Sequence, residues 1–479
     1  MQADLKTPTS VDLHDLEAAA LQVLRSRSTP QQQVVRVADE AALTELRAME
    51  VPKVGRPLRE VIDEMVQKVY YHRAQADHRR FFAFVPGPCS PLSAIGDLLT
   101  STYNPHAGNW LESSGPSAIE VQLIKWLAGN LGLPESSGGL FVSGGSMANL
   151  TALVVARDQR LPAYERSKAV AYVSEQTHSS VAKGLKIIGF LPEQIRRIKC
   201  DDRFQLDMSD LAAAIYEDKA AGRLPFAVIA SAGTTNTGSI DPLPEIRRLC
   251  DQANLWMHVD GAYGASIGIS PRYRHLLEGV ESADSVSWDG HKWLFQTYGC
   301  GVVMVRDKSH LTASYHTRPE YLRDTETDES QVNFWDLGVE LTRPARGLKL
   351  WLTLQVAGAD AMAAGVEHGF QLARWAEDEL KQHPGWEIVS PAQLSIVNFR
   401  FAPVGWPTPK IDALNKAIAQ RSLREGYATV LTTELRGQTV LRICAIHPDA
   451  TEGDMRETVR KLTDYANIEV ALAAQEYSQ

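Results

Sequence analysis

GGLFVSGGSMANLTALVVARDQR, residues 138–160, decides how the fold is read. An apolar run ends at Val142, the turn Ser143-Gly144-Gly145-Ser146 follows, and apolar spacing from Met147 onward is helical. A strand feeding through a glycine turn directly into a helix is half of an alternating α/β unit. Upstream, IEVQLIKWLAGNLGL at 119–133 reads as another helix. Downstream, AVAYVS (169–174), FAVIASAG (226–233), LWMHVDGAYG (255–264) and GCGVVMVRD (299–307) read as short buried strands with helical patterns between them. That alternation predicts a mostly parallel sheet with helices on both faces.

Toward the N-terminus, residues 12–27 and 40–75 are rich in helix formers with helical apolar spacing. Between about 77 and 117 the texture changes to Gly, Pro, Ser and aromatics, in FFAFVPGPCSP and STYNPHAGNWLESSGPS. Long irregular segments of this kind often line sites. Toward the C-terminus, LKLWLTLQVAGADAMAAGVEHGFQLARWAEDEL (348–380) predicts a long helix bending at Gly358 or Gly365. After Pro384, WEIVS, LSIVNFRFA and TVLRICAI alternate with helical IDALNKAIAQRSLREG and a final acidic helix, the pattern of a smaller α+β domain. The domain expectation is therefore an N-terminal helical segment at 1–105, a large α/β domain at 106–375 and a small domain at 376–479.

The 479 residues carry a net charge of -9 with interleaved signs, which argues against a nucleic-acid or anionic-membrane surface. The first residues lack the basic-then-apolar pattern of a secretory signal, and no apolar run is long enough to span a bilayer. Five scattered cysteines, never at CxxC spacing, read as reduced thiols of a cytoplasmic protein and give no zinc framework.

Three stretches carry chemistry. The Ser143–Ser146 turn can cradle a phosphate: its glycines let the backbone approach, and the helix N-terminus offers amides and a positive dipole end. An SGGS turn is equally a plain helix cap. Asp260, after the apolar strand LWMHV, would be costly to bury without a cationic partner, and a pyridinium nitrogen is such a partner. A strand-end Asp capping the next turn is the simpler alternative. Lys292, in DSVSWDGHKWLFQTYGCG (284–301), stands among Trp288, Trp293 and Phe295. Desolvation there would favour a neutral amine able to form a Schiff base, although a lone lysine is ordinarily a solvated charge. Two lesser features join them. His178 in EQTHSSVAKG can stack on a planar ring or serve as a structural histidine, and Thr234 or Thr235 can hydrogen-bond a ring substituent.

A phosphate cradle, a stacking histidine, a strand-end aspartate and a lysine, in this order, resemble the group II pyridoxal-phosphate-dependent decarboxylases of the aromatic-L-amino-acid decarboxylase type. The similarity is strongest from Phe81 to Lys349. The resemblance implies fold type I (aminotransferase-like), with a mostly parallel seven-stranded sheet, helices around it, the small α+β domain, pyridoxal 5'-phosphate as cofactor, and a homodimer. It assigns Lys292 to the Schiff base, Asp260 to the ring nitrogen, and His178 to ring stacking. Ala262 falls beside the ring and Thr235 near the cofactor. Gly145 and Ser146, with His291, take the phosphate side, and Ser143 and Gly144 join them as part of the cradle read from the turn. The family has Asn where this chain has Asp289. Phe81, Phe82, Phe84, Pro86 and Trp110 fall in the segment that lines the family's side-chain pocket, which suits an aromatic or large apolar L-amino acid. FVPGPCS departs from the FPTA-type segment of the animal enzymes, so branched aliphatic substrates also remain open.

The implied reaction is decarboxylation to the amine and carbon dioxide. In such enzymes a tyrosine of a mobile loop is tied to protonation of the product. Counting back from TRPARGLK puts Phe334 at that position, with Tyr321 and Tyr315 upstream. Phenylalanine delivers no proton, so the alternative is diversion to an aldehyde, ammonia and hydrogen peroxide. An aminotransferase or desulfurase on the same fold matches the HKW and TRPARGLK segments less well, and a non-enzymatic scaffold would bind no cofactor at Lys292.

Overall fold

Val302 and Met304 face one hydrophobic core, while Val303 and Val305 face another, and this alternation repeats across a whole sheet. The computed structural model describes residues 12–28, 33–317 and 331–476. Its first seven strands are β1 (Gly138–Val142), β2 (Ala169–Ser174), β3 (Ile195–Ile198), β4 (Leu224–Ser231), β5 (Trp256–Asp260), β6 (Ser285–Asp289) and β7 (Gly301–Val305). They form one sheet in the order β1-β7-β6-β5-β4-β2-β3. Only β7 runs against its neighbours; the β6–β5–β4–β2–β3 ladder is parallel. The mostly parallel seven-stranded sheet expected from the sequence is present. Its central strands are buried on both faces, which is why they read as continuous apolar runs.

One core lies under helices Trp110–Asn130, Met208–Ala220 and Leu243–Ala253. The other lies under Gly145–Arg160 and Ser179–Ile187. A second sheet follows, built from β8 (Trp386–Gln393), β9 (Ile396–Phe401), β10 (Leu431–Leu435) and β11 (Gln438–Cys444) in the antiparallel order β10-β11-β9-β8. This is the smaller C-terminal α+β layer, with helices Thr408–Glu425 and Glu452–Glu476 against it.

The predicted bend is a full break. Gly358, at φ +84, separates helix Leu348–Ala357 from helix Ala359–Leu380. The second of these sends Met362, Val366 and Phe370 into the core of the large sheet, and Leu372, Ala376 and Leu380 into that of the small one. The division expected at 375/376 falls inside this helix, because both cores use it. Among the described residues no helix is long and apolar enough to cross a membrane.

Candidate active site

Parallel strands bring their carboxyl ends to one edge of a sheet, where ligands of open α/β folds bind. Ser143 follows β1, His178 follows β2, Ser231 ends β4, Asp260 ends β5 and Asp289 ends β6. A cavity of about 360 Å³ opens there. Its wall includes Ser143, Gly144, Gly145, Ser146, His178, Thr235, Asp260, Ala262, His291 and Lys292. The structure thus brings together every residue that the sequence assigned to the cofactor.

At one end of the cavity, helix Gly145–Arg160 begins without a side-chain cap, leaving its first amides to a ligand. Gly145 is there for space: a Cβ would come within 2.8 Å of Asp289 Oδ2 and 3.0 Å of the Ala262 methyl. His291 Nδ1 and Asp289 Oδ1 are buried beside it with no hydrogen-bond partner among the described residues. Buried polar atoms in such a position call for a polar ligand.

Asp260 is almost wholly buried. Its Oδ2 accepts from Asn149 Nδ2 at 2.9 Å, and its Oδ1 accepts from Ser287 Oγ and the Ala262 amide, each at 3.1 Å. His178 caps helix Ser179–Ile187, its Nδ1 accepting from the Ser180 amide at 3.2 Å. Desolvation against the cavity wall pushes the His178 pKa down, against the pull of Asp260. Burial does the same to His291, against Asp289. Thr234 bonds within its own loop, to Thr237 Oγ1 at 2.8 Å and Ser239 Oγ at 2.9 Å. Thr235, half-buried, lines the cavity beside it.

Lys292 differs from the sequence picture in its surroundings. Trp288 and Trp293 turn away into the core, where Trp288 donates to Ser266 and Trp293 stacks on Tyr263 and Phe370. The Lys292 amine instead meets Asp289 Oδ2 at 3.2 Å. An apolar sequence neighbourhood did not become an apolar neighbourhood for Nζ, because flanking side chains on a strand and turn point elsewhere.

The five side-chain-pocket positions are not brought to this cavity. Phe84 is exposed, Pro86 is buried and Trp110 is half-buried at the start of its helix; none lines the wall. Phe81 and Phe82 are buried toward the C-terminal part, Phe81 pairing with Thr429 in a parallel bridge and the Phe82 amide donating to the Thr429 carbonyl at 3.1 Å. Their segment only borders the site: a Cβ on Gly87 would lie 3.0 Å from the His291 carbonyl oxygen. Phe334 does not line this cavity either. It is 1% exposed, packed in the second core with the Arg343 guanidinium 4.9 Å from its ring centroid. An aromatic ring next to an apolar core gains more by burial than by facing a polar cavity. Tyr315 is tied to the Thr151 carbonyl at 3.1 Å, and Tyr321 lies outside the described residues. Asn149, Ser180, Tyr263 and Asp289 also line the cavity, although the sequence reading gave them no role there.

An uncapped helix start with serines and glycines, a buried carboxylate, an imidazole and an amine on one cavity fit a flat, phosphorylated aldehyde such as pyridoxal phosphate. The family model described as the pyridoxal-dependent decarboxylase conserved domain matches residues 41–402. The aromatic-L-amino-acid decarboxylase of Bacillus atrophaeus is 41% identical to this chain over 414 residues, 86% of each protein. The phenylacetaldehyde synthase of Arabidopsis thaliana is 31% identical over 413 residues, 84% of each. The crystal structure of Oryza sativa TDC with PLP and tryptamine matches with a TM-score of 0.90 at 28% identity, covering 96% of this chain and 99% of that one.

Proposed function

The chain belongs to the pyridoxal-dependent decarboxylase family, and from that premise we propose that it converts an aromatic or large apolar L-amino acid to the amine. Its cofactor is pyridoxal phosphate and its reaction is a decarboxylation. When bound, the cofactor supplies an electron sink for bond cleavage at the substrate Cα. The protein supplies position and charge. Lys292 is the amine that would hold the cofactor's aldehyde. Asp260 keeps the ring nitrogen protonated, and Ala262 packs beside the ring. The Ser143–Ser146 turn, with His291, holds the phosphate. His178 covers one ring face, and Thr235 bonds a ring substituent.

The observation that carries this reading is the meeting of Asp260 and Lys292 on one cavity with the uncapped helix start. The substrate class is supported by what the wall lacks. Among its residues there is no arginine to bind an acidic side chain. Arg80 stacks over Tyr427 at 4.1 Å and bonds its carbonyl, and Arg79 faces Asp454 at 3.7 Å. The Bacillus atrophaeus relative, an aromatic-L-amino-acid decarboxylase, points the same way. Phe84 and Trp110 complete the side-chain pocket in a homodimer. Exposed Leu13, Leu16 and Leu21 on the first helix support such an assembly, since apolar stripes seek cover. Five cysteines with no disulfide among them suit a cytoplasmic enzyme.

Aldehyde formation is the second reading: the sequence raises it through Phe334 in place of tyrosine, and the aldehyde synthase among the relatives favours it. One assay tests both. The holoenzyme is offered each proteinogenic amino acid while carbon dioxide, amine, aldehyde and peroxide are followed together. Amine equal to carbon dioxide, with an aromatic substrate best, is the expected result. Peroxide equal to carbon dioxide overturns amine formation, and no turnover of aromatic or large apolar substrates overturns the substrate class.

A further inference from the structure

Asn149 has one amide and two opposite demands on it. Its Nδ2 lies 2.9 Å from Asp260 Oδ2 and 3.0 Å from Ser180 Oγ, while its Oδ1 lies 2.9 Å from His258 Nε2. A carboxylate accepts hydrogen bonds, so the NH2 end must be the one facing Asp260. The oxygen end then needs a donor, and His258 Nε2 is the atom in position to give it. A neutral imidazole has a single N–H, which makes its Nδ1 an acceptor. Ser285 Oγ stands 2.9 Å from that Nδ1 and itself accepts the Trp256 indole N–H at 2.8 Å. Every hydrogen in the row has one place to be.

Trp256, Ser285, His258 and Asn149 are each at most 1% exposed, so water does not compete with these bonds. Burial pulls the His258 pKa down to about 4, which keeps the ring neutral near pH 7. The row also branches. Ser180 Oγ accepts from Asn149 and stands 2.8 Å from His178 Nδ1, which also accepts the Ser180 amide. A neutral His178 therefore carries its proton on Nε2.

We propose that His258 and Asn149 are positioning residues: a single buried row of hydrogen bonds sets the Asp260 carboxylate and turns the Ser180 hydroxyl toward His178 Nδ1. If the Asn149 amide turned over, oxygen would face oxygen at Asp260 and the donor to Ser180 would be lost. His258 is what prevents the turn. The inference rests on Asp260 being the partner of the cofactor's ring nitrogen.

The test compares three variants as holoenzymes, with kcat expressed per bound cofactor. His258→Phe keeps ring shape without a donor, and His258→Gln restores a side-chain N–H toward Asn149. We expect His258→Phe to lower kcat by about ten- to a hundredfold, the range for outer-shell partners, with KM within about twofold. The pH dependence of the cofactor absorbance should move, and His258→Gln should recover much of both effects. Unchanged kcat and spectrum in His258→Phe, or His258→Gln no better than His258→Phe, would overturn the proposal. Should the variants fold poorly, neutron diffraction of the unmodified holoenzyme decides. Deuterium on His258 Nε2 is expected; deuterium on Nδ1 overturns the row. Asp260→Asn separates the two layers. If it leaves kcat and spectrum intact, the ring-nitrogen reading fails; if it alone is crippled, only the row fails.

Discussion

Lys292 and Asp289 form an ion pair at 3.2 Å on the cavity wall, with Asp289 almost fully buried and the lysine side chain about one-fifth exposed. The carboxylate also packs against Gly145, at the helix start assigned to the phosphate. One acidic group thus faces both the amine proposed to hold the cofactor and the place where its anionic end is expected to lie.

Replacing that charge should strengthen cofactor binding. Asp289→Asn keeps the shape while removing repulsion toward a phosphate. The dissociation constant of pyridoxal phosphate, measured by equilibrium dialysis at low salt, should fall by roughly threefold to tenfold. Weaker binding would mean that Asp289 serves the phosphate side through a shared proton.

Asp260→Asn should leave a measurable fraction of bound cofactor while lowering kcat by about a hundred- to a thousandfold, the scale for losing one fixed electrostatic partner. Steady-state rates normalised to cofactor absorbance give the comparison. Loss of binding with normal turnover per cofactor would contradict the role given to this carboxylate.

Acid should weaken the fold over a defined window. His258 has a folded pKa of about 4 against an ordinary 6.5, because it is buried. The unfolded chain therefore binds more protons between those values, and stability falls as pH drops from 6.5 toward 4, by about 1.4 kcal/mol per unit for one such group. Asp241 opposes this. Buried and bonded to the Ser231 and Leu206 amides, it is raised to about 6, so below that pH its protonation favours the folded state. Urea unfolding at stepped pH should show a steeper acid loss in Asp241→Asn than in the unmodified protein.

Arg343 and Glu120 form a bidentate pair with almost no exposure, at 2.7 and 3.0 Å. Arg343 also donates to the Ala107 and Phe141 carbonyls, each at 2.8 Å. Glu120→Ala leaves a buried cation and should cost about 3–5 kcal/mol. A double change to Met at both positions should cost less than the single one, as read by thermal unfolding.

Phe334→Tyr would place a hydroxyl in a closed core. A loss of roughly 1–3 kcal/mol in unfolding free energy is expected, with little change in the ratio of amine to aldehyde. A shifted ratio without loss of stability would mean that this segment leaves the core during turnover.

Much of the cofactor side was legible before any coordinates, because it sits at strand ends that apolar runs announce. Ser143, Asp260 and Lys292 each follow or precede such a run. Strand β3, IRRI, was missed because an edge strand with two arginines carries little apolar signal. Asn149, Ser180 and His258 were also out of reach. Asn149 and His258 are 109 positions apart, and only the packing of a helix on a strand joins them. Which aromatics face a ligand was not legible for a different reason: Phe81, Phe82 and Phe334 are as suited to a core as to a ligand, and in the structure they are buried in cores.

The helix Ala359–Leu380 serves two cores at once, and this bears on how the chain can be cut. A fragment ending before it would bare the large sheet's packing around Phe370, and a fragment starting after it would bare the small sheet's around Leu372. Neither half is a module that can be lent to another protein. Gene fusions or swaps of the C-terminal part should carry this helix whole, together with the side chains it meets on both sides.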